Sequence, residues 1–241
     1  MLTSLVCEAA KLRRSLALLL CAAAPSMVAL LGILVLTDQA RARSWQAFSL
    51  GSAAIWAYFM LPMTVTALTV LLAQLEHGPR SWNHLLALPV ARWRHHAAKA
   101  AVAILLVAGM SVVLWAALPL AGAVAGALRG GRQLTGAYDW AGTAALLARM
   151  FASALLLIAI QLWTALRFRS FVPPLVVGIG GTFVAVAAAG SRQGVYFPWL
   201  LPTNALSSDP ARADFALALG AGGGLLLLAV MLVDLARREF P

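Results

Sequence analysis

The side chains best able to do chemistry crowd into one polar stretch: His77, His84, His95 and His96, with Glu76, Arg80, Asn83, Arg92, Arg94 and Lys99 among them. Histidines could ligate a metal or move protons, but ligation needs several donors converging on one point. His95 and His96 are sequence neighbours and leave a helix in different directions, so polar, interfacial histidines are the simpler reading. Cys7 and Cys21 lie in apolar or near-membrane stretches without metal-ligand spacing, as inert buried thiols would. The chain carries no G-x-x-x-x-G-K-[ST] phosphate loop, no H-E-x-x-H and no nucleophile elbow. No catalytic, cofactor-binding or metal-binding residue is therefore expected, and a membrane enzyme is a weak reading because no nucleophile–base pair stands out. The stretch does offer a shape. Gly78 and Pro79 suit the start of a helix, Pro89 ends it, and between them Trp82, Leu85 and Leu86 share one face while Arg80, Asn83 and His84 turn elsewhere. Such a short amphipathic helix can lay its apolar face in a protein groove or on lipid headgroups, and physics alone favours neither.

The elements that must position this stretch are apolar. Of 241 residues, 62% are hydrophobic and 11% charged, with mean hydropathy +0.88. An ordinary soluble domain is about a quarter charged, so most of this chain must meet lipid. Apolar runs at 16–36, 50–75, 97–121, 143–166, 171–190 and 215–235 each approach the roughly 20 residues that cross a hydrocarbon core of about 30 Å. The expectation is an all-α integral membrane protein, a single domain over 1–241 with six transmembrane helices. Arg13 and Arg14 before Leu16–Leu20 imitate a signal peptide, but the apolar run continues to Leu36 and predicts an uncleaved span. The net charge of +10 is spread in short clusters between the runs, without the interleaved aromatics of a nucleic-acid surface. With the N-terminus inside, eleven Lys and Arg residues fall on the inner side and seven on the outer, which predicts cytoplasmic termini.

Within the spans, Gln161 is the one strongly polar side chain at depth; it could line a pathway, but an interhelical hydrogen bond is the favoured reading. Arg149 lies near the outer end of its span and could snorkel, and Asp234 could pair with Arg237 or Arg238 of its own helix. No carboxylate sits at mid-membrane to relay protons, which argues against an ion-coupled pump. Gly122, Gly126 and Gly130, and again Gly220 and Gly224, recur at four-residue spacing and allow close helix contact, within the chain or with a second copy. Pro25 and Pro62 should kink the first two spans.

An acid leaving the second span, then Trp82, a Leu-rich turn, Leu88-Pro89-Val90, Arg92 and Lys99 entering the third span, together resemble the coupling loop of type 2 ABC exporter permeases. The likeness is nearest to permeases that export bacitracin or lantibiotic peptides for self-immunity. It covers the whole chain in layout, but the specific motif covers only 76–99, and Asn83-His84 stands where many relatives have a basic residue. Three further features agree with it: Glu8, Lys11, Arg13 and Arg14 as an N-terminal interfacial helix, the six-span layout, and Tyr196–Pro202 as an outer re-entrant segment. The resemblance implies a permease of the bacterial cytoplasmic (inner) membrane that hydrolyses no ATP itself. Two ABC ATPase subunits would bind ATP and magnesium, and a second permease chain, identical or a sister, would complete the pathway. Glu76, Arg80, Trp82, Asn83, His84, Leu85, Leu86 and Pro89 would contact the ATPase. The rival expectation is a non-transporting membrane assembly or sensor-anchoring protein.

Overall fold

The computed structural model describes residues 2–12, 15–38, 44–77, 92–128 and 134–237, and they are helical almost throughout. A short helix α1 (Leu2–Leu12) leads into α2 (Leu16–Asp38). The second span is composite: α3 (Trp45–Ile55), a π-helical turn (Trp56–Met60) and α4 (Leu61–His77). Next come α5 (Arg92–Leu128), α6 (Trp140–Ser153), α7 (Leu155–Arg167) and α8 (Val172–Ala188). Two 3-10 turns (Arg192–Val195 and Pro198–Leu200) and the one-turn α9 (Leu201–Asn204) then lead to α10 (Pro210–Arg237). Among the described residues, extended pairing is confined to a bridge between Ser44 and Thr135.

Four stretches are long and apolar enough to cross a membrane: Leu16–Thr37, Trp45–Leu75, Trp93–Leu128 and Pro210–Arg237. The bent pair α6–α7 makes a fifth. The apolar helix α8 has 17 residues, about 25 Å at 1.5 Å per residue, at the short limit for a span.

Local chemistry sets the ends, which differ by several residues from the apolar runs. Ser44 Oγ accepts the Ala47 N–H at 3.2 Å and starts the second span at Trp45 rather than 50. Asp139 does the same for α6 through the Gly142 N–H at 2.8 Å, moving its start from 143 to Trp140. Asp209 takes the Ala211 N–H at 3.1 Å, and α10 begins at Pro210, where the missing proline N–H costs nothing. Pro62 falls inside the second span, where it cannot donate to a carbonyl one turn back. The helix widens just before it, and the Leu61 N–H reaches the Trp56 carbonyl five residues behind. The α2 helix continues through Pro25.

The fourth span is broken. α6 and α7 meet at Ala154 with a bend of 42°, where the Ala154 N–H is shared between the Met150 and Phe151 carbonyls at 3.0 and 3.1 Å. The Ser153 hydroxyl bonds back to the Arg149 carbonyl at 2.7 Å, a contact that bends helices. Against the bend lies α10, running parallel to it. A Cβ on Gly220 would stand 2.2 Å from the Ser153 carbonyl oxygen, and one on Gly224 would stand 2.6 Å from the Leu155 carbonyl carbon. The small pair thus serves contact within the chain. Gly122 likewise admits the Trp45 ring, which would lie 2.2 Å from a Cβ there. The second span is the most enclosed: 56% of its apolar window is buried, against 28% for α2 and for α10. Trp56, Leu61, Val65, Leu68 and Leu72 form its buried side, packed with Met150, Leu157, Ile158 and Leu162 of the broken span.

Candidate coupling site and bundle interior

Two roots hold the 78–91 stretch, since α4 ends at His77 and α5 starts at Arg92. Glu76 belongs to the last turn of α4. Arg80, Trp82, Asn83, His84, Leu85, Leu86 and Pro89 lie outside the described residues, as do Arg13 and Arg14 of the N-terminal helix.

Beside the roots, a compact charged site forms. Glu8 of α1 is 5% exposed and Lys99, two turns into α5, is 1% exposed. Lys99 Nζ donates to Glu8 Oε2 at 3.0 Å and to the Leu72 carbonyl of α4 at 3.2 Å, while Lys11 Nζ donates to Glu8 Oε1. One carboxylate and one ammonium therefore join α1, α4 and α5. Burial pushes the Glu8 carboxyl up, but the Lys99 charge and the hydrogen bonds from Lys11 and Lys99 outweigh it and hold the group below its ordinary value. Sequence reasoning placed Glu8 and Lys11 on one interfacial helix and treated Lys99 only as the end of the loop motif. The available signal was charge balance: an isolated Lys entering an apolar helix requires a carboxylate, and Glu8 is the acid on the neighbouring N-terminal segment.

The bundle interior holds a second polar cluster. Gln161 is fully buried on α7. With the amide turned so that both its groups are satisfied, its nitrogen donates to the Pro174 carbonyl at 3.2 Å and its oxygen accepts the Gly178 N–H at 3.0 Å, both in one turn of α8. The Gly178 carbonyl in turn accepts from Thr182 Oγ1 at 2.8 Å and from Trp199 Nε1 at 3.2 Å. Glycine is required there, because a Cβ would lie 2.1 Å from Thr66 Oγ1 of α4. Trp199, in the loop after α8, thus reaches a carbonyl ten residues before that helix ends, about 15 Å down its axis. Gly181 leaves room for the indole, 2.3 Å from where its Cβ would be. The loop dips into the bundle and is closed by Asn204, which donates to the Gly194 carbonyl at 3.1 Å and accepts from Arg212 Nε at 3.1 Å.

Charged side chains tie the broken span to α10. Arg149 pairs with Asp214 at 2.8 Å instead of only snorkelling. Asp234 reaches across to α7, where Arg167 donates at 2.7 Å and Trp163 Nε1 at 2.9 Å; Arg238, one of the two partners expected on its own helix, lies outside the described residues. At the far end from α1, Trp45, Tyr138, Trp115 and Trp140 form an edge-to-face aromatic chain. The Tyr138 hydroxyl donates to the Trp115 carbonyl at 3.1 Å, and Trp115 Nε1 to the Trp140 carbonyl at 3.0 Å. Such rings suit a membrane–water boundary. Beside them, an almost wholly apolar groove of about 360 Å³ runs between α5 and α6, lined among others by Ala108, Trp115, Leu147, Ala148 and Phe151.

These arrangements can bond helices, hold a root rigid or admit an apolar guest. Helices of membrane-crossing length make the chain a multi-pass membrane protein. Comparison with curated proteins and with solved structures returns no match. Residues 4–185, from α1 through most of α8, match the family model described as ABC-2 family transporter protein. With three quarters of its length covered by that match, the chain belongs to the ABC-2 family of transporter proteins.

Proposed function

We propose that this chain is the membrane-spanning subunit of an ATP-driven exporter and that the 76–92 segment couples it to a separate ATPase. The observation that carries the reading is the family match over 4–185, which contains that segment. With six spans both termini and the α1 end of the bundle lie on the same side, and the Lys and Arg bias makes that side the cytoplasm of the bacterial inner membrane. ATP and magnesium are held by two copies of the partner ATPase, and a second permease chain completes the pathway. ATP-driven closure of the ATPase pair pushes on the apolar face of Trp82, Leu85 and Leu86, and the α4 and α5 roots carry the movement into the bundle. Gln161 acts as an interhelical bond at Gly178. Sparse polarity in the spans and the apolar α5–α6 groove favour an amphipathic or lipophilic cargo taken from the membrane, in line with the resemblance to bacitracin and lantibiotic immunity exporters.

The test is purification from the native membrane. An ATPase should co-purify, and Trp82→Ala with Leu86→Ala should release it while the chain still inserts, since each enclosed side chain contributes roughly 1–3 kcal/mol of contact. ATPase binding unaffected by the double substitution would put this face on lipid headgroups instead, and the chain's copurification with no ATPase would favour a non-transporting assembly.

A further inference from the structure

We propose that Glu8 and Lys99 form a latch that makes α1 a working part of the coupling apparatus; both are positioning residues, and the proposal rests on the coupling role assigned above. The geometry is specific. Lys99 spends its donors on two different elements, the Glu8 carboxylate of α1 and the Leu72 carbonyl of α4, while itself belonging to α5. The elements it joins, α4 and α5, are the two from which the 78–91 stretch hangs. Any push on that stretch separates, tilts or rotates the two roots, and a three-way bond at their junction decides whether α1 follows. Lys11 keeps the second carboxylate oxygen occupied, which fixes the Glu8 rotamer toward Lys99. His96, one turn before Lys99, is 2% exposed, so the junction is closed to water on that side as well. Burial on this scale strengthens the pair and makes it intolerant of losing one member.

A latch and a mere charge-balancing pair make different predictions. Removing one partner, as in Lys99→Met, leaves a buried charge and harms folding under either view. Removing both, Glu8→Gln with Lys99→Met, leaves no buried charge, so folded yield should return; the link between α1 and the roots should not. Cys7 of α1 is exposed and natural, and Trp93 at the start of α5 is exposed, so spin labels at Cys7 and at Trp93→Cys, in a Cys21→Ala background, report the distance between the two elements. In the full-length chain in lipid vesicles, the parent should give one narrow distance distribution and the double-neutral variant a broad one. In the complex with its co-purified ATPase, adding ATP and vanadate should shift the Cys7 label in the parent, and this shift should be lost in the double-neutral variant although ATPase still binds. A double-neutral variant that keeps the narrow distribution overturns the latch, whether or not an ATPase is bound. So does a variant that keeps the full ATP-driven shift. A chain that binds no ATPase overturns the coupling role instead, and the vesicle distances still judge whether α1 is held through this pair.

Discussion

Two seams hold this bundle together by opposite means. Along α10, Gly220 and Gly224 bring backbone against backbone at the bend of the fourth span, and the flanking ion pairs, Arg149 with Asp214 and Arg167 with Asp234, are substantially exposed. Along α1, the bond to α4 and α5 rests on a buried carboxylate and a buried ammonium. Dispersion packing is indifferent to pH and salt and fails only when volume changes. A buried ion pair is neutral to the fold while both partners are present and costly when one is lost. The first seam suits two spans that stay together, and the second suits a junction that transmits or releases.

The contrast is broken most readily at Lys99. Lys99→Met should destabilise the chain by up to about 3–5 kcal/mol, because Glu8 keeps only Lys11, its more exposed partner. Thermal unfolding in detergent micelles measures this, and a loss under about 1 kcal/mol would mean that the pair behaves as an exposed one. At the packing seam, Gly220→Ala should cost about 1–3 kcal/mol from overpacking against Ser153. On the same helix, Gly222 has nothing within 4 Å of its would-be Cβ, so Gly222→Ala should be neutral or stabilising by up to about 1 kcal/mol. Equal losses at the two glycines would remove the packing account.

Acid sharpens the contrast. Glu8 is held below its ordinary value of 4.5 when folded, so its contribution is complete above that value and is lost as pH falls through the lower, folded-state value. Acidification well below pH 4.5 should therefore free α1, seen as increased mobility of a label at Cys7, while a label on α10 near Gly222 stays immobile. The smallest effect belongs to Arg149→Ala, under about 1 kcal/mol, because that pair stands in solvent or headgroups. A larger loss would show that the packing seam also leans on charge.

How much of this was legible beforehand depends on how local each cause is. The apolar runs announced the helices, since the length needed to cross lipid is a property of a segment alone. Their ends moved where a single capping side chain extended a helix past the apolar run, as Ser44 and Asp139 do. The break at Ala154 left little trace in its own segment. Ser153 in a helix is ordinary, and the bend is stabilised by Gly220 and Gly224, far along the chain. The spacing of those two glycines was visible, but spacing cannot tell whether the surface they admit is the same chain or another. Gln161 stood out as a polar group at depth, whereas the convergence of Gln161, Thr66 and Trp199 on Gly178 requires four segments to be brought together.

By itself the sequence determined the solvent of this protein and its all-helical class. Hydropathy over about 20 residues is decisive when the surroundings are lipid. Only the tertiary structure decided who pairs with whom. Glu8 and Lys99 lie 91 residues apart in the chain, Arg167 and Asp234 67 apart, and Trp199 reaches back down α8. Coulomb attraction and hydrogen bonding act over a few ångströms, and which side chains come that close is set by the packing of the whole bundle.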